Sequence, residues 1–120
     1  MAYPETVVKA LMKGVPAPSL SGAIATTSPS VAYAVPISAK NLVAMVTGAS
    51  TISSGVVTIE EASAPDYAGT WAVSTTVSAT NVSGGAQVTV HLAGTYRAVR
   101  ARVSTAIAGG GNVGVDFTCN

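Results

Sequence analysis

The chain has 120 residues, of which 48% are hydrophobic and 9% are charged, and its formal net charge is +1 at pH 7. This length suits one domain with one core. The small net charge indicates no strongly basic surface that would attract nucleic acid or a membrane, so we expect neither as a partner. Because soluble domains usually carry roughly a quarter charged residues, the low charged fraction suggests either that much of the surface contacts another subunit or that Ser and Thr cover a β-domain.

Apolar side chains in residues 4–13 recur at helical spacing. Pro4 suits the first turn of a helix, and Gly14 suits the position after its end. We predict a short amphipathic helix here; a strand is the alternative, because two of the apolar residues are β-branched. The apolar stripe needs a surface to pack against and is a candidate interface. It consists of Val7, Val8, Leu11 and Met12.

Residues 14–30 are rich in Pro, Ser and Gly. Proline fixes φ and has no N–H to donate, so we interpret this stretch as an extended arm or linker, either disordered or lying across a neighbouring subunit. The chain then divides into an N-terminal arm, residues 1–30, and a β-sandwich domain, residues 31–120. In this division the arm contributes contacts to another subunit rather than to the core of the sandwich.

From residue 31 onward, segments rich in Val, Ile, Thr, Tyr or Trp alternate with turn residues. This spacing is typical of an antiparallel β-sandwich of about seven strands, either a jelly roll or immunoglobulin-like. The predicted strands are residues 31–37, 41–47, 55–62, 70–78, 86–93, 95–105 and 112–118.

Alternation within these strands predicts which side chains face the core. The residues expected to face inward are Val57, Ile59, Val88, Val90, Leu92, Val99, Ala101 and Val103. Trp71 and Val73 are expected to add the largest block of core area, because an aromatic side chain buries about 150–250 Å².

Residues with catalytic or metal-binding chemistry are few and scattered. His91 is the single histidine and Cys119 the single cysteine, which excludes an intrachain disulfide framework. Glu60 and Glu61 are adjacent on a predicted strand, so they point to opposite faces and cannot form an acid–base pair. No spacing resembles a set of metal ligands. We therefore expect no catalytic residue, no metal, no cofactor and no enzymatic activity.

Three arginines, Arg97, Arg100 and Arg102, form the one basic cluster of the sequence. Arg100 and Arg102 are two residues apart on a predicted strand and should project from the same face. One interpretation is a contact with an anion or an acidic partner, which makes both residues candidate interface residues. The other is cross-strand pairing within the chain. The possible acidic partners are Glu60, Glu61 and Asp116.

The sequence contains no run of 18 apolar residues, so it predicts no transmembrane helix. Near the N-terminus, Glu5, Lys9 and Lys13 interrupt any apolar stretch that could serve as a secretory signal. We therefore expect a protein that is made and used without export.

A succession of segments from about residue 55 onward carries a family resemblance. GVVTIEEA is followed by GTWAVSTTV, then by AQVTVHLAGTYRAVRARVST, a glycine-rich turn and NVGVDF. In this order the chain resembles β-sandwich proteins of tailed-bacteriophage virions, among them head decoration (cement) proteins. The tyrosine that leads into alternating arginine and aliphatic residues, followed by the glycine-rich hairpin, carries most of the resemblance.

The resemblance implies a capsid decoration protein that binds and stabilises the assembled phage head. Its partner would be the major capsid protein or another virion protein, and it would act as a homo-oligomer located in the virion after assembly in the host cytoplasm. A neck, tail or head-fibre subunit is an alternative of the same kind. A carbohydrate-binding or adhesion module is the alternative from a different class.

Overall fold

The computed structural model describes residues 7–63, 70–92 and 98–120. These residues form nine strands and one 3₁₀ helix, Ala79–Gly85, which lies between the sixth and seventh strands. The strands are β1 (Val7–Ala10), β2 (Ala17–Ala23), β3 (Val31–Ala34), β4 (Val43–Ala49), β5 (Ser54–Ala62), β6 (Ala72–Ser78), β7 (Gln87–His91), β8 (Ala98–Ala108) and β9 (Asn112–Thr118).

The strands form two sheets that enclose one main core. The five-stranded sheet has the order β1-β3-β8-β5-β6, and the four-stranded sheet has the order β2-β9-β4-β7. Neighbouring strands pair antiparallel, except for β1 and β3, which are parallel. The main core combines buried side chains from both sheets. The predicted all-β sandwich is confirmed.

All seven strands predicted after residue 30 are present, with ends shifted by a few residues. The start of the predicted strand 95–105 lies partly outside the described residues. The inward faces are also confirmed on the central strands β5 and β8, where the predicted core residues are at most 1% exposed. On β7 and just after it, the inward residues Val88, Val90 and Leu92 are partly buried against the same core.

The predicted helix is wrong over its described part. Val7–Ala10 form β1, which pairs in parallel with β3 from Val7 opposite Val31 to Ala10 opposite Ala34. Pairing with β3 satisfies backbone groups that a short isolated helix would leave to water. The β-branched residues at the start of β1 also suit extended backbone better than helix.

The interpretation of residues 14–30 as an arm outside the sandwich is wrong for β2. This strand pairs antiparallel with β9, and Leu20 at its centre is 2% exposed in the main core. Pro18 is tolerated because β2 is an edge strand with two register shifts. At such a position the missing N–H of proline need not remove a hydrogen bond between strands. Leu11, expected at an interface, is also 2% exposed and belongs to the same core.

Hydrogen bonds join the two sheets on the side where β2 lies. Ser19 Oγ donates to the carbonyl of Val31 at 2.7 Å and accepts from the N–H of Ala101 at 2.9 Å. The hydroxyl of Tyr33 donates to the carbonyl of Pro18 at 2.6 Å. On the opposite side, the edge strands β6 and β7 are connected through the 3₁₀ helix.

Candidate interaction surface

One end of the sandwich is built from the loop between β1 and β2 and the loop between β3 and β4. The C-terminal residues hold both loops in place. Gly14 N–H donates to the carbonyl of Cys119 at 2.7 Å, and Lys40 and Asn120 exchange two backbone hydrogen bonds of 2.7 and 2.8 Å. The loops are therefore fixed to the end of β9.

Each loop contains a hydrogen-bonded turn. The N–H of Val15 donates to the carbonyl of Met12 at 3.2 Å, and the N–H of Ala39 donates to the carbonyl of Pro36 at 3.0 Å. Gly14 has a φ of 76°, which glycine adopts without the steric penalty of a side chain. These turns hold the intervening side chains in defined positions.

Three large apolar side chains are exposed on these loops: Met12 by 66%, Val15 by 48% and Ile37 by 81%. Lys13 Nζ donates to Ser38 Oγ at 2.6 Å, which brings the two loops together beside Met12 and Ile37. We call the set Met12, Lys13, Val15, Ile37 and Lys40 the loop-end surface. It combines apolar area with two exposed lysines. Exposed apolar patches with polar residues around them are typical of surfaces that contact another protein.

The thiol of Cys119 lies beneath this surface, with 1% of the residue exposed. Burial raises the pKa of the Cys119 thiol, an effect that the positive charge of Lys13 offsets in part. A buried thiol with a raised pKa is a poor nucleophile at neutral pH. Cys119 is therefore a packing residue in this structure.

Arg100 and Arg102 lie on the outer face of the five-stranded sheet and both contact Glu60. The Nε of Arg100 is 2.8 Å from Oε1 of Glu60, and the Nε of Arg102 is 2.8 Å from Oε2. Glu60 lies directly opposite Arg100 in the register of β5 and β8. The cross-strand pairing predicted with Glu60 is confirmed.

The ring of Trp71 packs against Arg100, one member of this ion cluster. The guanidinium carbon of Arg100 lies 4.3 Å from the centre of the Trp71 ring, a cation–π geometry. Trp71 is 7% exposed and packs with a small cluster of alanines, separate from the main core, that consists of Ala32, Ala62 and Ala98. The predicted burial of Trp71 is confirmed, whereas the prediction that Val73 is a core residue is wrong, because Val73 is 58% exposed.

The candidate interface residues from the sequence are thus dispersed. Met12 lies on the loop-end surface and Leu11 in the core, while Arg100, with 7% of its side chain exposed, is held between Glu60 and Trp71. The described backbone of Val7 and Val8 pairs with β3. The sequence reasoning missed Val15 and Ile37, although an isoleucine within the turn Pro36-Ile37-Ser38 is itself a signal of an exposed apolar contact.

Within residues 7–63, 70–92 and 98–120, no three side chains of His, Cys, Asp or Glu are grouped as metal ligands. No helix in the same ranges has the length and apolar character needed to cross a membrane. Comparison of the chain with family models, with curated proteins and with solved structures finds no match.

Proposed function

We propose that this protein is a structural, non-catalytic subunit of a phage virion: a capsid decoration protein that binds the assembled head and stabilises it. The loop-end surface is the observation that carries the proposal. Three large apolar side chains on two fixed turns offer a preformed contact for another protein. The major capsid protein is the partner that the resemblance implies.

The surface suits a weak contact that is repeated many times. Burying a fully exposed Met or Ile side chain contributes roughly 1.5–3 kcal/mol, before the cost of association. Met12 and Ile37 lie on turns that are already ordered, so little conformational freedom is lost on binding. One copy would bind weakly, whereas several linked copies gain affinity through effective concentration.

The mechanism is mass action on the assembled shell. A protein that binds the assembled lattice and not its separate subunits stabilises the lattice by the free energy of binding. The sandwich supplies a rigid support, since the inter-sheet bonds of Ser19 and the ion cluster of Glu60 restrict its deformation. No step of this mechanism needs a catalytic group.

A neck, tail or head-fibre subunit would use the same surface against a different virion protein. A carbohydrate-binding or adhesion module is less well supported, because sugar sites usually present exposed aromatic rings. Tyr33, Trp71 and Phe117 are all at most 7% exposed. The other aromatic residues, Tyr3, Tyr67 and Tyr96, lie outside the described residues.

The test begins with the genes beside the one that encodes this chain. The proposal expects a major capsid gene there, and the capsid protein is then co-expressed with the chain. Shells are isolated by sedimentation, and the bound chain is quantified by gel densitometry. The melting temperature of the shell is measured with and without the chain.

The decisive variant is the double substitution Met12→Asp and Ile37→Asp. We expect it to fold normally and to be lost from the shells. Ile24→Asp is the matched control, because Ile24 is 50% exposed and lies at the other end of β2. Normal shell binding by the double variant, or the same loss with the control, overturns the loop-end surface as the contact. An absence of shell binding by the wild-type chain overturns the capsid proposal.

A further inference from the structure

The edge strands of the two sheets differ in how they are protected against pairing with another chain. Natural edges are usually blocked by charge, proline or a bulge. Lys9 lies on β1, β2 contains Pro18 and two register shifts, and β6 has a register shift against β5. β7 contains no Asp, Glu, Lys, Arg or Pro and pairs with β4 without a register shift.

The hydrogen-bonding phase of β7 defines which backbone groups face outward. Leu92 N–H donates to the carbonyl of Leu42 at 2.8 Å, so this pair of opposite residues is a hydrogen-bonded one. Such pairs alternate along an antiparallel ladder. The N–H and C=O groups of Val90 and Val88 therefore face β4. Those of Gln87, Thr89 and His91 point away from the sheet.

We propose that β7 pairs antiparallel with β7 of a second copy of this chain, around a two-fold axis at Thr89. The two four-stranded sheets then become one eight-stranded sheet. Gln87 of each copy lies opposite His91 of the other, and Thr89 lies opposite its own counterpart. The inference rests on the proposed role as an assembling subunit and specifies the surface through which copies associate.

The composition of β7 is what favours a second copy as the occupant. A two-fold axis brings identical residues together, so any charge at its centre would repel its own image. The residues nearest the axis are Val88, Thr89 and Val90, all uncharged. The side chains of Gln87 and His91 both carry hydrogen-bonding groups, so Gln87 of one copy can form a hydrogen bond with His91 of the other. Val88 and Val90 are partly buried against the core, and pairing would cover the side that they leave exposed.

The first test is a disulfide at the axis. In a hydrogen-bonded antiparallel pair the opposite Cα atoms are about 5.5 Å apart, within the usual range for a disulfide. Thr89→Cys, in a Cys119→Ser background, should form a covalent dimer under mild oxidation, seen on a non-reducing gel. Thr47→Cys in the same background is the matched control. Thr47 is also exposed and lies on the neighbouring strand β4, opposite Gln87. The Thr47→Cys variant should remain monomeric on the gel.

The second test is sedimentation equilibrium of the full chain over a range of concentrations. We expect wild type to dimerise and Thr89→Pro to remain monomeric with an unchanged far-UV circular dichroism spectrum, because the N–H that proline removes is not bonded to β4. A wild-type monomer at all concentrations, or dimerisation of Thr89→Pro as in wild type, overturns the proposal. The Met12→Asp, Ile37→Asp variant should dimerise normally. A chain that dimerises through β7 yet never binds shells contradicts the capsid function and leaves this interface standing.

Discussion

The N–H of Ala101 donates a 2.9 Å hydrogen bond to Oγ of Ser19, although the two residues belong to different sheets. The same hydroxyl donates to the carbonyl of Val31. Ser19→Ala removes the hydrogen-bond partner of the buried N–H of Ala101 and of the part-buried carbonyl of Val31. An unsatisfied buried group costs about 1–3 kcal/mol. We expect the free energy of unfolding, measured by urea titration, to fall by at least that amount.

Ser28→Ala is the matched control for this prediction. Ser28 Oγ has two backbone partners as well, at an exposed site: it accepts from the N–H of Ile24 at 3.3 Å and from that of Ala25 at 3.1 Å. Water replaces the lost hydroxyl there, so the change should stay below about 1 kcal/mol. Equal losses for both serines would show that the bonds of Ser19 do not hold the sheets together.

Removing the charge of Glu60 should be strongly destabilising. Its side chain is 2% exposed and is held between Arg100 and Arg102. Glu60→Gln keeps the shape but leaves the buried guanidinium of Arg100 without its carboxylate, for which the usual cost is about 3–5 kcal/mol. Arg102→Gln should cost less, because the side chain of Arg102 is 22% exposed. Urea titration of the two variants measures the difference, and a larger loss for Arg102→Gln would contradict the prediction.

Replacing Trp71 should lower stability, although this residue lies outside the main core. Trp71→Ala removes the ring over Arg100 and opens the alanine cluster. Comparable truncations cost about 3–5 kcal/mol. Val73→Ala is the control, since Val73 is 58% exposed and surface changes usually stay within about 0.5 kcal/mol. Thermal unfolding followed by circular dichroism compares the two, and an unchanged melting temperature for Trp71→Ala would mean that the ring contributes no packing.

Stability should decline in alkali through Tyr33. Burial, and then the negative charge of Asp116, raise the pKa of the Tyr33 hydroxyl. An unfolded tyrosine ionises near pH 10, so above about that pH the unfolded chain releases its proton first. The contribution of Tyr33 is complete below pH 10 and is lost as the pH rises through the folded pKa.

The comparison that isolates this effect is Tyr33→Phe. Unfolding midpoints in urea between about pH 8 and 11 should fall less steeply for the variant than for wild type, since the remaining tyrosines titrate in both. At neutral pH the variant should be less stable by about 0.5–1.5 kcal/mol, the usual net value of one hydrogen bond, here the bond to Pro18. Parallel pH profiles would exclude a role for Tyr33.

Strands can be predicted from the sequence where apolar and polar side chains alternate and strand pairing places the apolar side chains on the core face. On β5, Ile59 lies between Thr58 and Glu60 and faces the core; on β8, Val103 lies between Arg102 and Ser104 and also faces the core. The same alternation placed Glu60 and Arg100 on one outer face, which is why their pairing was predictable. The stacking of Trp71 was not predictable, because Trp71 precedes β6 and its position depends on the path of the chain there.

The two strands near the N-terminus were not predicted, because their local sequences are typical of a helix and of a linker. Leu11 and Met12 continue a helical spacing, yet the backbone groups of β1 are satisfied by a strand that begins at Val31. In β2, Pro18 and Gly22 are typical of a linker, and nothing local indicates that an edge position in a bulged strand accommodates both. Both segments are strands because each pairs with a strand that is distant in the sequence. A short stretch of sequence does not reveal such a partner.

The pairing of β2 with β9 also bears on how the chain emerges from the ribosome. Translation proceeds at about 5–20 residues per second, so β2 is synthesised several seconds before its ladder partner. Until β9 is synthesised and Val115 pairs opposite Leu20, β2 has no strand to pair with, and the core around Leu20 is incomplete. Contacts between distant parts of a chain also slow folding. The nascent protein therefore passes through an interval in which Leu20 is accessible to chaperones or to other nascent chains.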